Sequence, residues 1–156
     1  MQAIEATIDG KMITARPGTT ILEAARSNGI RIPTLCDHPA LEPVGDCRVC
    51  LVEVEKNPKL VTSCTTPLSP GMVVHTRSPR VLEARRAVIE LLLVRHPLDC
   101  FSCSSNGRCE LQDVAYELGI KSSSFADEGD TCNLYPVEDS NPFYVRDMNK
   151  CILCGR

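Results

Sequence analysis

Between residues 3 and 16 apolar and polar side chains alternate around the dipeptide Asp9-Gly10. A period of two, broken by residues that tolerate positive φ, predicts a β-hairpin. Thr20-Ile-Leu-Glu23 then has the spacing of a capping box and predicts a short helix through Ala24, Ala25 and Arg26, ended by Asn28-Gly29. Residues 33–48 lose all periodicity and are rich in Pro, Gly and Asp, the composition of a loop whose amides must turn freely. Leu51–Glu55 reads as a strand, Asn57-Pro58 as a turn, Lys59–Ser63 as a further strand ending at Cys64, and Gly71–Thr76 as the last one. Strands and one helix within residues 1–78 predict a small α+β domain. His75, in the last of these strands, is expected at the surface or rim.

The period changes to 3.6 after Ser78-Pro79, where Ser78 can cap a helix and Pro79 suits its first position. Val81, Leu82, Val88, Ile89, Leu92 and Leu93 form an apolar face at helical spacing, and Pro97 stops the helix just after His96. A second helix is predicted from Cys109 to Gly119. Residues 79–121 therefore read as two helices clasping the loop between them. The pattern weakens again over residues 122–156, where Ser122-Ser-Ser124 and the acidic Asp127–Asp130 stretch suggest a linker. Asn141-Pro142 and Phe143-Tyr-Val145 suggest an extended arm leading to the chain's last cysteines.

Composition narrows what such a chain can do. Its 156 residues include no Trp and only three Phe and three Tyr, so a core shared between two small domains must be modest. Bound groups can staple domains of that size. The net charge of −3, with no basic stripe and few aromatics, argues against nucleic-acid binding. The N-terminus has no apolar run of signal-peptide length. The most apolar stretch, Val88–Val94, is too short for a bilayer and contains Glu90, so no direct membrane insertion is expected. The chain reads as cytoplasmic, where cysteine pairs bind metals more often than they form disulfides.

Ten cysteines sit on this frame in three groups, with Cys132 left over as a buried structural thiol or stray ligand. Cys36, Cys47, Cys50 and Cys64 are spaced C-x10-C-x2-C-x13-C. Four thiolates can hold a [2Fe–2S] or a [4Fe–4S] cluster, and the long loop across a strand-rich domain favours the two-iron form. A structural zinc is the rival, because Cys47-Arg-Val-Cys50 is one half of a four-cysteine zinc pattern. His96, Cys100, Cys103 and Cys109 bring four ligands into fourteen residues. Three cysteines with one histidine are again a zinc pattern as well as an iron–sulfur one. A neutral imidazole in place of a thiolate would leave a four-iron cluster less negative and raise its potential. The bland alternative for His96 is an interaction with the carbonyls ending its own helix. Cys151 and Cys154 form an incomplete set: half a zinc site, a redox pair, or the opening of a C-x2-C-x2-C-x3-C-P run. The thioredoxin-like context that a redox pair prefers is missing. No Ser/His/Asp set, phosphate-binding loop or paired carboxylates stand out, and no catalytic residue is expected.

Several segments together resemble one family. They are Pro33-Thr-Leu-Cys36, Gly45-Asp-Cys-Arg-Val-Cys50-Leu-Val-Glu53, Thr62-Ser-Cys64-Thr-Thr-Pro67, the His96–Cys109 motif with Glu110-Leu-Gln112, Ser140-Asn-Pro142 and Arg146–Gly155. The chain resembles the N-terminal iron–sulfur region shared by the large iron–sulfur subunit of NADH:quinone oxidoreductase, NAD-linked [FeFe] hydrogenases and NAD-linked formate dehydrogenases. The resemblance covers nearly the whole chain and makes zinc a remote rival. It implies a β-grasp [2Fe–2S] ferredoxin-like domain over residues 1–78, with ligands Cys36, Cys47, Cys50 and Cys64. It also implies a helical [4Fe–4S] domain over residues 79–121, with ligands His96, Cys100, Cys103 and Cys109. Residues 122–156 would be a linker and the start of a further 4Fe–4S ferredoxin-type domain. Cys100-Phe-Ser-Cys103 and Cys109–Tyr116 look closer to the hydrogenase and formate dehydrogenase branches than to the respiratory one.

The implied role is an electron-transfer module passing single electrons between a flavin- or NADH-oxidising partner subunit and a catalytic oxidoreductase subunit. Family members continue past the position of Cys154 into two further clusters and usually a catalytic domain, so either this sequence is a fragment or a partner supplies the rest. Two other classes stand beside this one: a zinc-stabilised interaction module, and a thiol–disulfide enzyme using Cys151 and Cys154.

Overall fold

The computed structural model describes residues 3–126 and 135–156. Cys132 and the Asp127–Asp130 stretch lie outside them. The chain divides into two compact units, Met1–Arg85 with Gly155–Arg156, and Arg86–Cys154. The division falls inside a helix.

The first unit is built on a mixed sheet with one helix, an α+β arrangement. Its strands are β1 (Ile4–Ile8), β2 (Lys11–Ala15), β3 (Leu51–Val54), β4 (Val61–Thr62) and β5 (Val73–His75), in the order β2-β1-β5-β3-β4. β1 and β2 pair antiparallel from Ile4↔Ala15 to Ile8↔Lys11, closed by Asp9 at φ 48° and Gly10 at φ 79°. Two consecutive positive φ angles make this the hairpin turn whose twist matches the strands. The Asp9 carboxylate also takes hydrogen bonds from the Thr76 amide and hydroxyl, tying the turn to the end of β5. β1 and β5 run parallel, while β3 is antiparallel to both β5 and β4.

Alternation along β1 buries Ile4, Ala6 and Ile8 on one face. Against them pack Ile21, Leu22, Ala24 and Ala25 of helix α1 (Ile21–Ser27). Thr20 caps α1, and the Glu23 carboxylate returns to the Thr20 amide, so the capping box is closed in both directions. β4 is shorter than the periodicity predicts. The Lys59 amide donates to Asn57 Oδ1 in the preceding turn, and beyond Thr62 the chain winds into a tight turn, where the amides of Thr65 and Thr66 donate to the Thr62 carbonyl.

Helix α2 (Pro79–Leu93) starts where the sequence predicts, with the Val81 amide donating to Ser78 Oγ. In the second unit α3 (Glu110–Glu117) ends at Gly119, whose φ of 68° lets the Ile120 amide reach the Ala115 carbonyl. Leu111, Val114 and Ala115 supply its buried face. Residues 135–156 carry a reversal in which Glu138 and Arg146 exchange backbone hydrogen bonds, then a single 3-10 turn at Met148–Lys150. All three Phe and all three Tyr are at least half exposed, so the cores rest on aliphatic side chains. No helix among the described residues is long and apolar enough to cross a membrane.

Candidate metal centres

Two of the three cysteine groups are gathered by the fold. In the first unit Cys50 precedes β3 and Cys64 follows β4, and antiparallel pairing of those strands brings the two together. Their sulfurs lie 3.4 Å apart, both buried within the hydrophobic core. Cys36 and Cys47 approach each other in the loop between α1 and β3. The Cys47 thiol donates to the Cys36 sulfur, and the amides of Val49, Leu35 and Cys36 point at the Cys47 sulfur. Burial pushes the Cys47 thiol up, against those amides, which favour its thiolate. Cys50 and Cys64 split one proton between them: the contact with Cys64 draws the Cys50 thiol down, and the contact with Cys50 drives the Cys64 thiol up.

Several contacts hold the loop that carries this set. The Arg26 guanidinium pairs with Asp37 at 2.7 Å, anchoring the segment after Cys36 to α1. Gly45 has φ 71°, and a Cβ there would meet Thr65 Cγ2 at 3.3 Å, so both conformation and space call for glycine. Arg85 of α2 is only 2% exposed and donates to the carbonyls of Val49 (2.9 Å), Leu51 (3.0 Å) and Thr76 (3.3 Å). Two of those carbonyls flank Cys50. A buried cation thereby holds the backbone of the Cys47–Cys50 turn. One further group is conspicuous, the Ser63 hydroxyl, which is buried without a hydrogen-bond partner.

In the second unit one small cavity is lined by His96, Cys100, Cys103 and Cys109 together, with Gln112 and Lys150 beside them. His96 Nδ1 lies 2.9 Å from the Pro97 carbonyl. A carbonyl only accepts, so Nδ1 carries the proton and Nε2 keeps the lone pair that a metal needs. Successive turns shape the loop: the Cys103 amide donates to the Cys100 carbonyl and the Asn106 amide to the Cys103 carbonyl. Gln112 braces it from α3, accepting from the Gly107 amide and donating to Asn106 Oδ1. Cys109 stands at the N-cap of α3 with no side-chain cap bond.

Both sets fit iron–sulfur clusters. A tetrahedral metal with metal–sulfur bonds of about 2.3 Å keeps its thiolates about 3.8 Å apart. The 3.4 Å between the Cys50 and Cys64 sulfurs is close to that spacing. Among the described residues no group of three or more His, Cys, Asp or Glu side chains is drawn together as a single-ion site. The second set lines one cavity from the loop and from the start of α3. The long groove along Ala3–Thr7, Met12 and Pro70-Gly71 contains no cysteine or histidine and belongs to neither set.

Residues 1–79 match the family described as 2Fe-2S iron-sulfur cluster binding domain. The chain belongs to that family. Residues 85–124 match the NADH-ubiquinone oxidoreductase-G iron-sulfur binding region, so this iron–sulfur chain combines a 2Fe–2S domain with a 4Fe–4S region. Over 155 residues it is 44% identical to the mitochondrial NADH-ubiquinone oxidoreductase 78 kDa subunit of Neurospora crassa, with 98% of this chain and 20% of that one covered. It is 46% identical over 162 residues to the NADP-reducing hydrogenase subunit HndD of Solidesulfovibrio fructosivorans, covering all of this chain and 27% of that protein. The crystal structure of an NAD+-reducing [NiFe]-hydrogenase in the H2-reduced state superposes with a TM-score of 0.85 at 37% identity, covering 97% of this chain and 63% of that one. The chain thus spans roughly a fifth to a quarter of the length of these curated relatives.

The third group is placed but not assembled. Cys151 is exposed and Cys154 half-buried, and their partner candidate Cys132 lies outside the described residues. His75 is at the surface, 3.2 Å from the Glu55 carboxylate. Sequence reasoning missed Arg85, Ser63 and the bracing role of Gln112. Arg85 had left a trace, because it stands in helical register between Val81 and Ile89, where an apolar side chain is the rule.

Proposed function

We propose that this chain is an electron-transfer module of an NAD(P)-linked oxidoreductase complex of the hydrogenase or formate dehydrogenase type. It relays single electrons between a flavin- or NADH-oxidising partner subunit and a catalytic subunit. Cys36, Cys47, Cys50 and Cys64 hold the [2Fe–2S] cluster, and His96, Cys100, Cys103 and Cys109 hold the [4Fe–4S] cluster. The observation that carries the assignment is the separate assembly of the two sets, one as two sulfur pairs and one around a single cavity. When bound, the clusters accept and release one electron at a time. The chain's own part is to fix their positions, exclude water from them and aim donors at their sulfurs. Burial of Cys36, Cys50 and Cys64 serves the second task, and the amides of Leu35, Cys36 and Val49 serve the third.

The same reading assigns residues 1–78 to a β-grasp ferredoxin-like domain, supported by the strand order with α1 packed on the sheet core. Residues 79–121 form the histidine-ligated domain, and residues 122–156 a linker and arm opening a further ferredoxin-type domain, with Cys151 and Cys154 as its first, incomplete ligand set. The chain has no catalytic site of its own and works in the cytoplasm. A respiratory reading, as the iron–sulfur part of an NADH:quinone oxidoreductase, is favoured by the match over residues 85–124 and by the Neurospora relative.

Iron, acid-labile sulfide and zinc per chain, measured after anaerobic purification, test the assignment. About six irons and six sulfides are expected from one two-iron and one four-iron cluster. Zinc without sulfide would replace the relay with a structural module.

A further inference from the structure

The Ser63 side chain has no exposed surface, and its backbone is fully engaged: the amide donates to the Cys50 carbonyl at 3.1 Å and the carbonyl accepts from the Leu22 amide at 3.0 Å. Only the hydroxyl is left over. Among the described residues it is the one buried side-chain nitrogen or oxygen without a hydrogen-bond partner. A buried hydroxyl that bonds to nothing carries its full desolvation penalty, so an apolar residue of the same size would be the more stable choice unless a partner is supplied later.

The surroundings name that partner. Ser63 pairs across the strands with Cys50 and is followed directly by Cys64, whose sulfur is 3.4 Å from that of Cys50. Without metal the two sulfurs share a single S–H···S contact. Iron binding takes the protons from both sulfurs and leaves each with lone pairs free to accept.

We propose that the Ser63 hydroxyl donates a hydrogen bond to the iron-bound Cys50 thiolate and thereby raises the reduction potential of the two-iron cluster. The proposal rests on the cluster assignment made above. Its physical basis is charge: reduction adds one electron, the sulfur ligands become more negative, and a hydrogen bond to such a sulfur strengthens in the reduced form. The O–H proton stays on Ser63 throughout, and no covalent bond is made or broken. Ser63 is a tuning and positioning residue, not a ligand.

The test is a redox titration of the holo-protein monitored by electron paramagnetic resonance, comparing the wild type with Ser63→Ala. The expected result is full iron and sulfide content, an unchanged four-iron midpoint and a lower two-iron midpoint. At fixed poise the reduced-to-oxidised ratio of the two-iron cluster should fall on the order of tenfold, which for one electron is about 59 mV. An unchanged two-iron midpoint in a fully loaded variant would overturn the proposal. Should Ser63→Ala fail to load, Ser63→Cys, similar in size and a weaker donor, is expected to give a smaller fall in the same direction, and no fall would again overturn it. A wild-type protein without any two-iron signal would remove the underlying assignment instead, so the two failures are told apart.

Discussion

Arg85 is an arginine in the position of a core residue. Its guanidinium is withdrawn from water and donates to three main-chain carbonyls, two of them beside Cys50. Removing it leaves those carbonyls buried and unpaired, and each such loss is costly. Arg85→Ala should therefore lower the stability of the loaded protein by at least about 3 kcal/mol in urea unfolding. The same variant should release iron from the two-iron site faster than from the four-iron site. Equal release rates from both sites would show that Arg85 has no special hold on the Cys47–Cys50 turn. The residue was readable in the sequence only as an exception to an apolar stripe, because propensity and periodicity describe which face is buried and not what a buried cation binds. Ser63 gave no such trace, as a serine next to a cysteine looks the same whether or not its hydroxyl has a partner.

At the level of elements, local chemistry decided how much could be read. The hairpin, the capping box, the proline at the start of α2 and the glycine after α3 are all set by residues within a few positions of one another, and all four stand where the pattern places them. β4 shrank because side-chain and turn bonds within residues 57–66 took up donors that a longer strand would have used. The second unit adds a titratable element. The Glu90 carboxylate on α2 is held below its ordinary range chiefly by the Ser124 hydroxyl, with the Ser124 amide and Arg86 adding to it against partial burial. A depressed carboxylate stabilises the folded state above its unfolded pKa of about 4.5, and that contribution is lost as pH falls through the lower folded value. Glu90→Gln should accordingly flatten the loss of stability of this unit below about pH 4.5, followed by circular dichroism; an unchanged acid limb would exclude Glu90 as its source.

Across the whole molecule, the clusters and the cores divide the work of folding. The first unit keeps an aliphatic core of Ile8, Ile13, Ile21, Val52 and Val74 around its sheet, whereas the ligand loop between α1 and β3 contains no strand or helix. Stripping the metal should therefore raise amide hydrogen exchange across residues 33–50 while β1 and β2 stay protected. Uniform loss of protection would mean that the sheet, too, depends on the clusters. The candidate ligand sets could be grouped from the sequence alone, since ligand spacing survives in one dimension. What spacing could not reveal was the pairing of Cys36 with Cys47 and of Cys50 with Cys64, which follows from loop geometry and from the antiparallel pairing of β3 with β4. That one chain holds two independent clusters on these two sets is tested most directly by electron paramagnetic resonance of the reduced protein and of its Cys64→Ala and Cys103→Ala variants. Two distinct signals are predicted in the wild type, with Cys64→Ala losing only the two-iron signal and Cys103→Ala only the four-iron one. A single signal, or both signals vanishing together in either variant, would contradict it.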